Sequence, residues 1–302
     1  MDSVLVLVAL LIVFILVVGT AAVGGSCGWG RVRTLVLLRR SAGGPVPPRN
    51  KAIVVLTRGY KDKAQYKQLI ARNTHLEKYA NSDIDYIIFH EGNIDQDHQH
   101  YISNFTPKLK ITFVDVSKDF RTATMEFYQP TASFNMGYRN MCSFWFVEFW
   151  KYVTSYSYIL RIDEDCLYYS DPTQVLTMLE GSNKVAAFGE FSNDHESVTK
   201  GLNQFTLDFL HQKGIRPPPA QPSGPYTNVI GLNLTLLRKN VMLMEYIKAV
   251  KLSNNIYIYR WGDLPLWGEV LRYMYADKDY AVDPTIHYFH GSHKKQVGIK
   301  RA

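Results

Sequence analysis

The fold is decided by the stretch Tyr158–Cys166, whose sequence is YILRIDEDC. Its apolar first half predicts a buried β-strand, and three consecutive carboxylates, Asp163, Glu164 and Asp165, follow at the carboxyl end of that strand. Open α/β sheets bind their ligands at this edge, and carboxylate oxygens suit Mg²⁺ or Mn²⁺. A solvated acidic turn is the alternative, and the choice between the two depends on the flanking sequence.

Strand and helix patterns alternate on both sides of this stretch. Ala52–Leu56 is apolar enough for a fully buried strand, residues 61–79 have apolar positions at helical spacing, and Ile84–Phe89 follows as a second strand. This order predicts a parallel β-α-β unit. Further strands are predicted at 111–116 and 185–191, and helices at 139–153, after Asp171, at 199–213, at 236–251 and at 264–275. The chain is therefore expected to have an α/β fold.

Composition and missing motifs exclude several classes of protein. The chain has 302 residues, a net charge of +7 and a pI near 9.1, but its basic residues are scattered. No nucleic-acid partner is therefore expected. A GxGxxG string after the first strand and a GxxxxGK[ST] loop are absent, which argues against dinucleotide-dependent dehydrogenases and P-loop enzymes. Cys27, Cys142 and Cys166 lack the spacing of a zinc site, and both a Cys142–Cys166 disulfide and two free thiols stay open.

The amino-terminal segment carries an uncharged apolar run, Val4–Val23, that is long enough to cross a bilayer. We expect residues 1–24 to be an uncleaved transmembrane anchor, with a cleavable signal peptide as the alternative. Residues 25–50 are basic and rich in Gly and Pro, and are expected to form a stem. Residues 51–302 are then the folded domain.

Four sequence blocks occur in a recognisable order: Gly137–Phe144 (GYRNMCSF), Tyr156–Asp163 (YSYILRID), Tyr259–Pro265 (YRWGDLP) and Ile286–Phe289 (IHYF). Together they resemble the signature blocks of the fungal Golgi α-1,2-mannosyltransferases that build N- and O-linked mannans. The resemblance covers residues 52–293, and RWGD-x-P is its most specific string. It implies a GT-A fold with a nucleotide-sugar-binding mixed sheet flanked by helices. It also implies GDP-mannose as donor, Mn²⁺ as cofactor, a glycan or glycoconjugate acceptor, and retention of anomeric configuration.

The resemblance also assigns residues to the site. The donor-binding residues that it implies are Arg58, Arg139, Asp163, Trp261 and Asp263, and Tyr138 is implied to contact the acceptor. The implied metal ligands are Asp163, which stands where the family has a glutamate, Asp165 through a DxD pattern, and His287, with His293 as the fallback. Two of these residues have plain structural alternatives, because Asp263 could cap the helix at 264–275 and His287 could be a core histidine.

One departure from the family concerns the nucleophile. The family has an Asn-Phe-Glu string whose glutamate has been proposed for that role, and this chain has Ile at the third position, Ile230. A retaining transfer then needs another acid, for which the candidates are Glu190, Asp194 and Glu196, or a front-face mechanism in which the departing phosphate takes the acceptor proton. A catalytically impaired relative that binds nucleotide sugar or glycan is the alternative function. A phosphohydrolase with two metals would require more ligands than the sequence offers.

The resemblance further implies a single-pass membrane protein of the Golgi or endoplasmic reticulum with its folded domain in the lumen. Sequons at Asn104 and Asn233 favour that orientation. Basic residues that follow the apolar run, from Arg31 to Arg40, favour the opposite one under the positive-inside rule. The orientation is therefore left open.

Overall fold

A seven-stranded mixed sheet forms the centre of the protein in the computed structural model, which describes residues 50–220 and 222–298. The strands are β1 (Lys51–Thr57), β2 (Ile84–His90), β3 (Ile111–Asp115), β4 (Tyr158–Ile162), β5 (Cys166–Tyr168), β6 (Ala186–Phe188), β7 (Phe191–Ser192), β8 (Gly224–Pro225), β9 (Val229–Asn233), β10 (Tyr280–Val282), β11 (Tyr288–His290) and β12 (Lys295–Val297). The helices are α1 (Lys67–Glu77), α2 (Gln96–Asn104), α3 (Met136–Ser143), α4 (Pro172–Glu180), α5 (Leu202–Gln212), α6 (Leu234–Lys239), α7 (Val241–Ser253), α8 (Asn255–Tyr259) and α9 (Asp263–Met274).

The order of strands in the main sheet is β10-β6-β9-β4-β1-β2-β3. Strands β1, β2, β3 and β4 run parallel to their neighbours among themselves, which confirms the predicted β-α-β unit. Strand β9 enters between β4 and β6 and is antiparallel to both. A second, three-stranded sheet has the order β12-β11-β5, and β7 pairs with β8. Because β1 and β4 are parallel neighbours, the residues that follow them lie at the same edge of the sheet.

Helices follow the predicted pattern, with two interruptions. The predicted helix at 139–153 is α3 followed by a π-helical turn, Phe144–Glu148, and a short 3₁₀ segment. The predicted helix at 236–251 is divided into α6 and α7 at Asn240, whose backbone is extended and whose side chain accepts a hydrogen bond from the Leu243 amide. An Asn that caps the second helix thus ends the first one. The predicted cap at Asp171 is confirmed, because its carboxylate accepts from the Thr173 amide.

Aromatic side chains of the π-helical segment and of the 3₁₀ segment that follows it fill the core between the sheet and α9. Phe144 and Phe146 are fully buried, and Trp145 and Trp150 are at most 8% exposed. Phe146 meets Trp267 of α9 edge to face, with 5.7 Å between ring centroids. These rings therefore pack the interior, where each contributes through buried area and ring geometry.

Both described cysteines, Cys142 and Cys166, are buried free thiols, so the second of the two alternatives for this pair is the correct one. Burial raises the pKa of Cys142 to about 12. Its thiol is therefore protonated at neutral pH and chemically inert.

The predicted membrane location requires a correction. Among the residues that the structure describes, no helix combines the length and the apolar character that a bilayer span requires. The run Val4–Val23, the predicted anchor and the predicted stem lie outside the described residues. The sequon at Asn233 no longer supports a lumenal orientation, because this side chain is only 3% exposed and caps α6 by accepting from the Leu236 amide.

A buried carboxylate on α9 leads to a prediction about stability. Glu269 is 2% exposed, and burial raises its pKa to about 7 from an ordinary value of 4.5. The protonated acid is favoured in the folded state, so stability is fully present below the unfolded pKa and falls as pH rises to about 7. Glu269→Gln should remove this loss and raise the free energy of unfolding at pH 8 by roughly 2–3 kcal/mol, with little difference near pH 4.5.

Urea unfolding of the wild type and the variant between pH 4.5 and 8 measures this difference. The exposed Glu245, which pairs with Lys213, provides the control Glu245→Gln. Equal pH dependence in the Glu269 variant and the wild type would contradict the prediction.

Candidate active site

The three acids after β4 form a tight turn at the carboxyl edge of the sheet. The Asp163 amide donates to the carbonyl of Asn228 at 2.8 Å, and the Cys166 amide donates to the carbonyl of Asp163 at 3.1 Å. The turn leads directly into β5 of the small sheet. The three carboxylates consequently point toward three different sets of partners, and these partners distinguish their functions.

Asp163 is held by its neighbour Arg161. The Arg161 guanidinium donates to both Asp163 oxygens, at 2.7 and 2.9 Å, and to Asp263 at 2.5 Å. It also lies 4.4 Å above the ring of Trp145. Burial opposes its charge, but the two carboxylates outweigh this and raise the pKa of Arg161. Both oxygens of Asp163 are thus already paired, which leaves Asp165 better placed as a metal ligand.

The same ion pair accounts for Asp263. It is the first residue of α9, whose N-cap is Gly262, so Asp263 does not cap the helix. Its carboxylate is 8% exposed and accepts from Arg161. Its predicted contact with the donor stays a prediction, and the role that its contacts support is to fix Arg161.

Glu164 points toward the end of β1. Its carboxylate accepts hydrogen bonds from the hydroxyls of Thr57 and Tyr60, the latter at 2.8 Å. Burial raises the pKa of this acid. Arg58 is exposed beside this pair, with its guanidinium carbon 5.0 Å from the centroid of the Tyr60 ring. An exposed arginine at this edge suits an anionic ligand such as a diphosphate.

Asp165 forms a carboxylate–imidazole pair with His290, the last residue of β11. The Nε2 of His290 lies 3.3 Å from Oδ2 of Asp165, which also accepts from the Ser292 amide at 2.9 Å. Burial disfavours the charged acid, but the contacts with His290 and Ser292 outweigh it and hold the pKa of Asp165 well below its usual range. The carboxylate is therefore ionised at neutral pH and available to a cation.

The donor set of this pair fits a divalent cation. Adjacent ligands of an octahedral ion with bonds of about 2.1 Å lie about 3 Å apart, close to the separation of the two groups. One carboxylate and one imidazole suit Mn²⁺. Cys166 lies within 4.8 Å of both groups, but burial raises its pKa well above the usual range, so the thiol stays protonated and does not act as a thiolate ligand.

The histidine that meets the acids was not the predicted one. His287 packs against Tyr169, with 5.1 Å between ring centroids and 49° between the ring planes, and contacts Gln296, so its side chain is engaged away from Asp165. The fallback, His293, is beside His290, with 4.5 Å between ring centroids. The hydroxyl of Tyr226 lies within hydrogen-bond distance of Nδ1 of both His290 and His293, at 2.7 and 2.6 Å. The geometry therefore favours His290 in place of His287.

Two predicted donor contacts lie in the interior. Arg139 is fully buried, and its guanidinium donates to the carbonyls of Phe134, Tyr257 and Thr131. Trp261 is 1% exposed and donates from its indole nitrogen to the carbonyl of Lys200 at 2.9 Å. These contacts fix loops rather than offer a surface to a ligand, so the structure does not support their predicted contacts with the donor.

Tyr138 lies at an accessible position and belongs to a charged chain of contacts. It is 38% exposed, and its hydroxyl accepts from Arg260 at 2.6 Å. The other arm of Arg260 donates to Asp194 at 2.8 Å. Arg260 has a φ of +65°, which is uncommon for a residue other than glycine and indicates that its position is imposed by these contacts.

The three candidate acids for the missing nucleophile differ in their surroundings. Glu190 pairs with Lys295, Asp194 pairs with Arg260, and Glu196 is exposed at the start of a short 3₁₀ segment. Ile230 is 2% exposed in the middle of β9, where it pairs with Arg161 of β4. The position of the family glutamate is therefore part of the core of this protein.

No protein-family model and no curated protein sequence matches the chain. Several solved structures match the chain. The mannosyltransferase Ktr4p from S. cerevisiae is 18% identical, with a TM-score of 0.67 over 80% of this chain and 70% of that one. Core-mannan synthase A (CmsA/Ktr4) from Aspergillus fumigatus, in its Mn/GDP form, is 16% identical, with a TM-score of 0.67 over 82% of this chain and 76% of that one.

A structure of Ktr4p in complex with GDP gives a similar result, with 17% identity and a TM-score of 0.66. At such identities the likeness concerns the fold alone. It agrees with the four sequence blocks, which were recognised independently of the structure. The mixed sheet with flanking helices is thus the GT-A fold of the fungal Ktr4 and CmsA mannosyltransferases.

Proposed function

We propose that the protein transfers mannose from GDP-mannose to a mannoside-containing glycan, with retention of configuration, in an α-1,2-linkage and with Mn²⁺ as cofactor. The observation that carries the proposal is the pairing of Asp165 with His290 at the carboxyl edge of the sheet, beside the exposed Arg58. This arrangement offers a cation site and a positive side chain where a nucleotide diphosphate would lie. It is supported by the fold shared with a protein whose structure is a Mn/GDP form.

In this proposal each group at the edge has its own function. Asp165 and His290 would hold the cation, and a bound cation would supply positive charge next to the departing diphosphate. Arg58 adds a second positive charge at the rim. Arg161 keeps Asp163 and Asp263 in place through its hydrogen bonds to both carboxylates. Glu164 fixes Thr57 and Tyr60 at the end of β1. These hydrogen bonds and ion pairs hold the side chains of the edge in a fixed orientation before the donor binds.

The surroundings of Ile230 favour a front-face transfer. An apolar side chain in the core cannot form a covalent intermediate, and two of the three candidate acids are already paired with cations. In a front-face reaction the bond from the anomeric carbon to the diphosphate breaks while the acceptor hydroxyl attacks from the same side. The hydroxyl proton passes to the departing phosphate oxygen, so no enzyme nucleophile is needed.

The test is a transfer assay with the full-length protein. We expect mannose to pass from labelled GDP-mannose to α-mannobiose in the presence of Mn²⁺, and the reaction to stop in excess EDTA and resume when Mn²⁺ is restored. The anomeric configuration and the linkage of the product follow from its NMR spectrum. GDP binding that depends on Mn²⁺, without transfer to any mannoside, would favour the catalytically impaired relative instead.

A trapped mannosyl adduct on a side chain would overturn the front-face part of the proposal. Mass spectrometry of the protein after incubation with GDP-mannose alone measures such an adduct.

A further inference from the structure

A large open cleft lies beside Asp194 and the first turn of α9. Its volume is about 880 Å³, which is in the range of ligand sites. Its walls are the loop 193–204, Ser223 and the first turns of α9, including Leu264 and Glu269. Strand β8 packs closely on the start of α9 at this side of the cleft, because a Cβ at Gly224 would lie 2.0 Å from the carbonyl oxygen of Leu264.

Contacts of Asp194 link the cleft to Tyr138. This residue lines the cleft and also accepts from Arg260, which donates to Tyr138. Tyr138 was assigned to the acceptor by the sequence blocks. A molecule whose reacting end lies at Tyr138 can therefore extend into the cleft.

The polar groups of the cleft suit a neutral ligand rich in hydroxyl groups. The Glu269 carboxylate lies in its wall, and within the described part of the chain its only partners are uncharged, with the Asn203 amide donating to its two oxygens at 3.2 and 3.0 Å. The charges of the lining largely offset one another, because Asp194 pairs with Arg260 and Lys200 lies in the same lining as Glu196. Carboxyl and amide groups in a lining with little excess charge pair well with the hydroxyls of a neutral ligand.

An aromatic ring completes the set. Tyr128 lines the cleft, with the Lys200 ammonium 4.2 Å from its ring centroid. Its edge-to-face contact with Tyr259, at 5.6 Å between centroids, fixes the orientation of the ring. A fixed aromatic face beside hydrogen-bonding groups is suited to the apolar face of a sugar ring.

We propose that this cleft binds the acceptor as an oligosaccharide, with Tyr128 stacking on one sugar ring and the Oδ1 of Asn203, whose amide group is oriented by Glu269, accepting from a hydroxyl of a sugar beyond the one that reacts. The identification of the ligand as an acceptor rests on the proposed function. The cleft would then select oligosaccharides over single sugars, because only a longer chain reaches from Tyr138 into it.

The test compares ligand lengths in direct binding. Dissociation constants for α-1,2-mannotriose and for methyl α-mannoside are measured by calorimetry with the full-length protein, its Mn²⁺ and GDP. Tyr128→Ala and Asn203→Ala should each weaken mannotriose binding about tenfold, which corresponds to about 1.4 kcal/mol, since one removes a stacking contact and the other a hydrogen bond of a neutral amide. The affinity for methyl mannoside should change less than twofold. The matched controls are Tyr101→Ala on α2 and Asn81→Ala before β2, which lie outside the cleft.

Equal losses for the two ligands, or no loss in either variant, would overturn the proposal. Calorimetry of the wild type with GDP and Mn²⁺ alone separates this outcome from a failure of the proposed function. If the proposed function is wrong, the wild type binds no nucleotide; if only the cleft proposal is wrong, nucleotide binding is retained. Cellotriose and a Ser/Thr-rich peptide serve as competitors, and tighter binding of either than of mannotriose would also contradict the proposed ligand.

Discussion

Asp165→Asn and His290→Ala should each abolish the Mn²⁺-dependent part of GDP binding, with a loss of about a hundredfold or more in metal affinity. The two side chains provide the carboxylate and the imidazole at 3.3 Å, and either substitution removes half of the protein's donor set. Calorimetry of GDP with and without Mn²⁺, and titration of Mn²⁺ followed by electron paramagnetic resonance without nucleotide, measure the effect.

The chain offers a matched control in His287→Ala. This histidine packs against Tyr169 away from the acids, so the Mn²⁺ titration of this variant should coincide with that of the wild type. If His287→Ala shifts the titration and His290→Ala does not, the sequence-based assignment is correct and the one drawn from the geometry is wrong. Circular dichroism of each variant confirms that the fold is retained.

Arg161→Met should have the largest effect on stability, a loss of about 3–5 kcal/mol in the free energy of unfolding. The substitution keeps the volume of the side chain but leaves Asp163 and Asp263 without their cation, and Asp263 is only 8% exposed. It also removes the cation that lies 4.4 Å above Trp145. Urea unfolding at pH 7 measures the loss. Arg58→Met, at an exposed position of the same edge, should cost about 0.5 kcal/mol or less.

The triple variant Arg161→Met, Asp163→Asn, Asp263→Asn separates the mechanism from a general loss of packing. Neutral amides no longer require a counter-charge, so the triple variant should recover a large part of the stability. A triple variant as unstable as Arg161→Met would show that packing against Trp145 causes the loss. If Arg161→Met alone lowers the free energy of unfolding by less than about 1 kcal/mol, the buried ion pairs contribute little to stability.

The elements that depend on local pattern could be predicted from the sequence. Buried parallel strands are continuous apolar runs, so β1, β2 and β4 were found almost to the residue. The cap at Asp171 uses the same chemistry in any context, and it was found as well. The division of one predicted helix at Asn240 was missed, because the apolar spacing continues through the break and only a capping side chain marks it.

The site depends on contacts between distant segments, which the pattern does not contain. His287 and His290 are three residues apart, and only the register of β11 on β5, which places His290 opposite Cys166, decides which one meets Asp165. Arg161, the basic residue that pairs with Asp163, stands two positions before it in β4. The sequence alone therefore indicated a partner for this carboxylate. The sequence blocks assigned Arg139 and Trp261 to the sugar-nucleotide donor. In the structure both side chains instead donate hydrogen bonds to backbone carbonyls of neighbouring segments.

The position of β9 in the sheet has a consequence for the way the chain acquires its structure during synthesis. Tyr158 pairs with Asn233, so β4 keeps an open edge until a segment made much later enters beside it. Pairing between such distant positions slows folding, because the entropy of a long loop must be lost before the contact forms. His290 is made later still. A nascent chain that stops before β11 would hold most of its sheet with only half of the Asp165–His290 pair, so the proposed cation site would form only after β11 has been made.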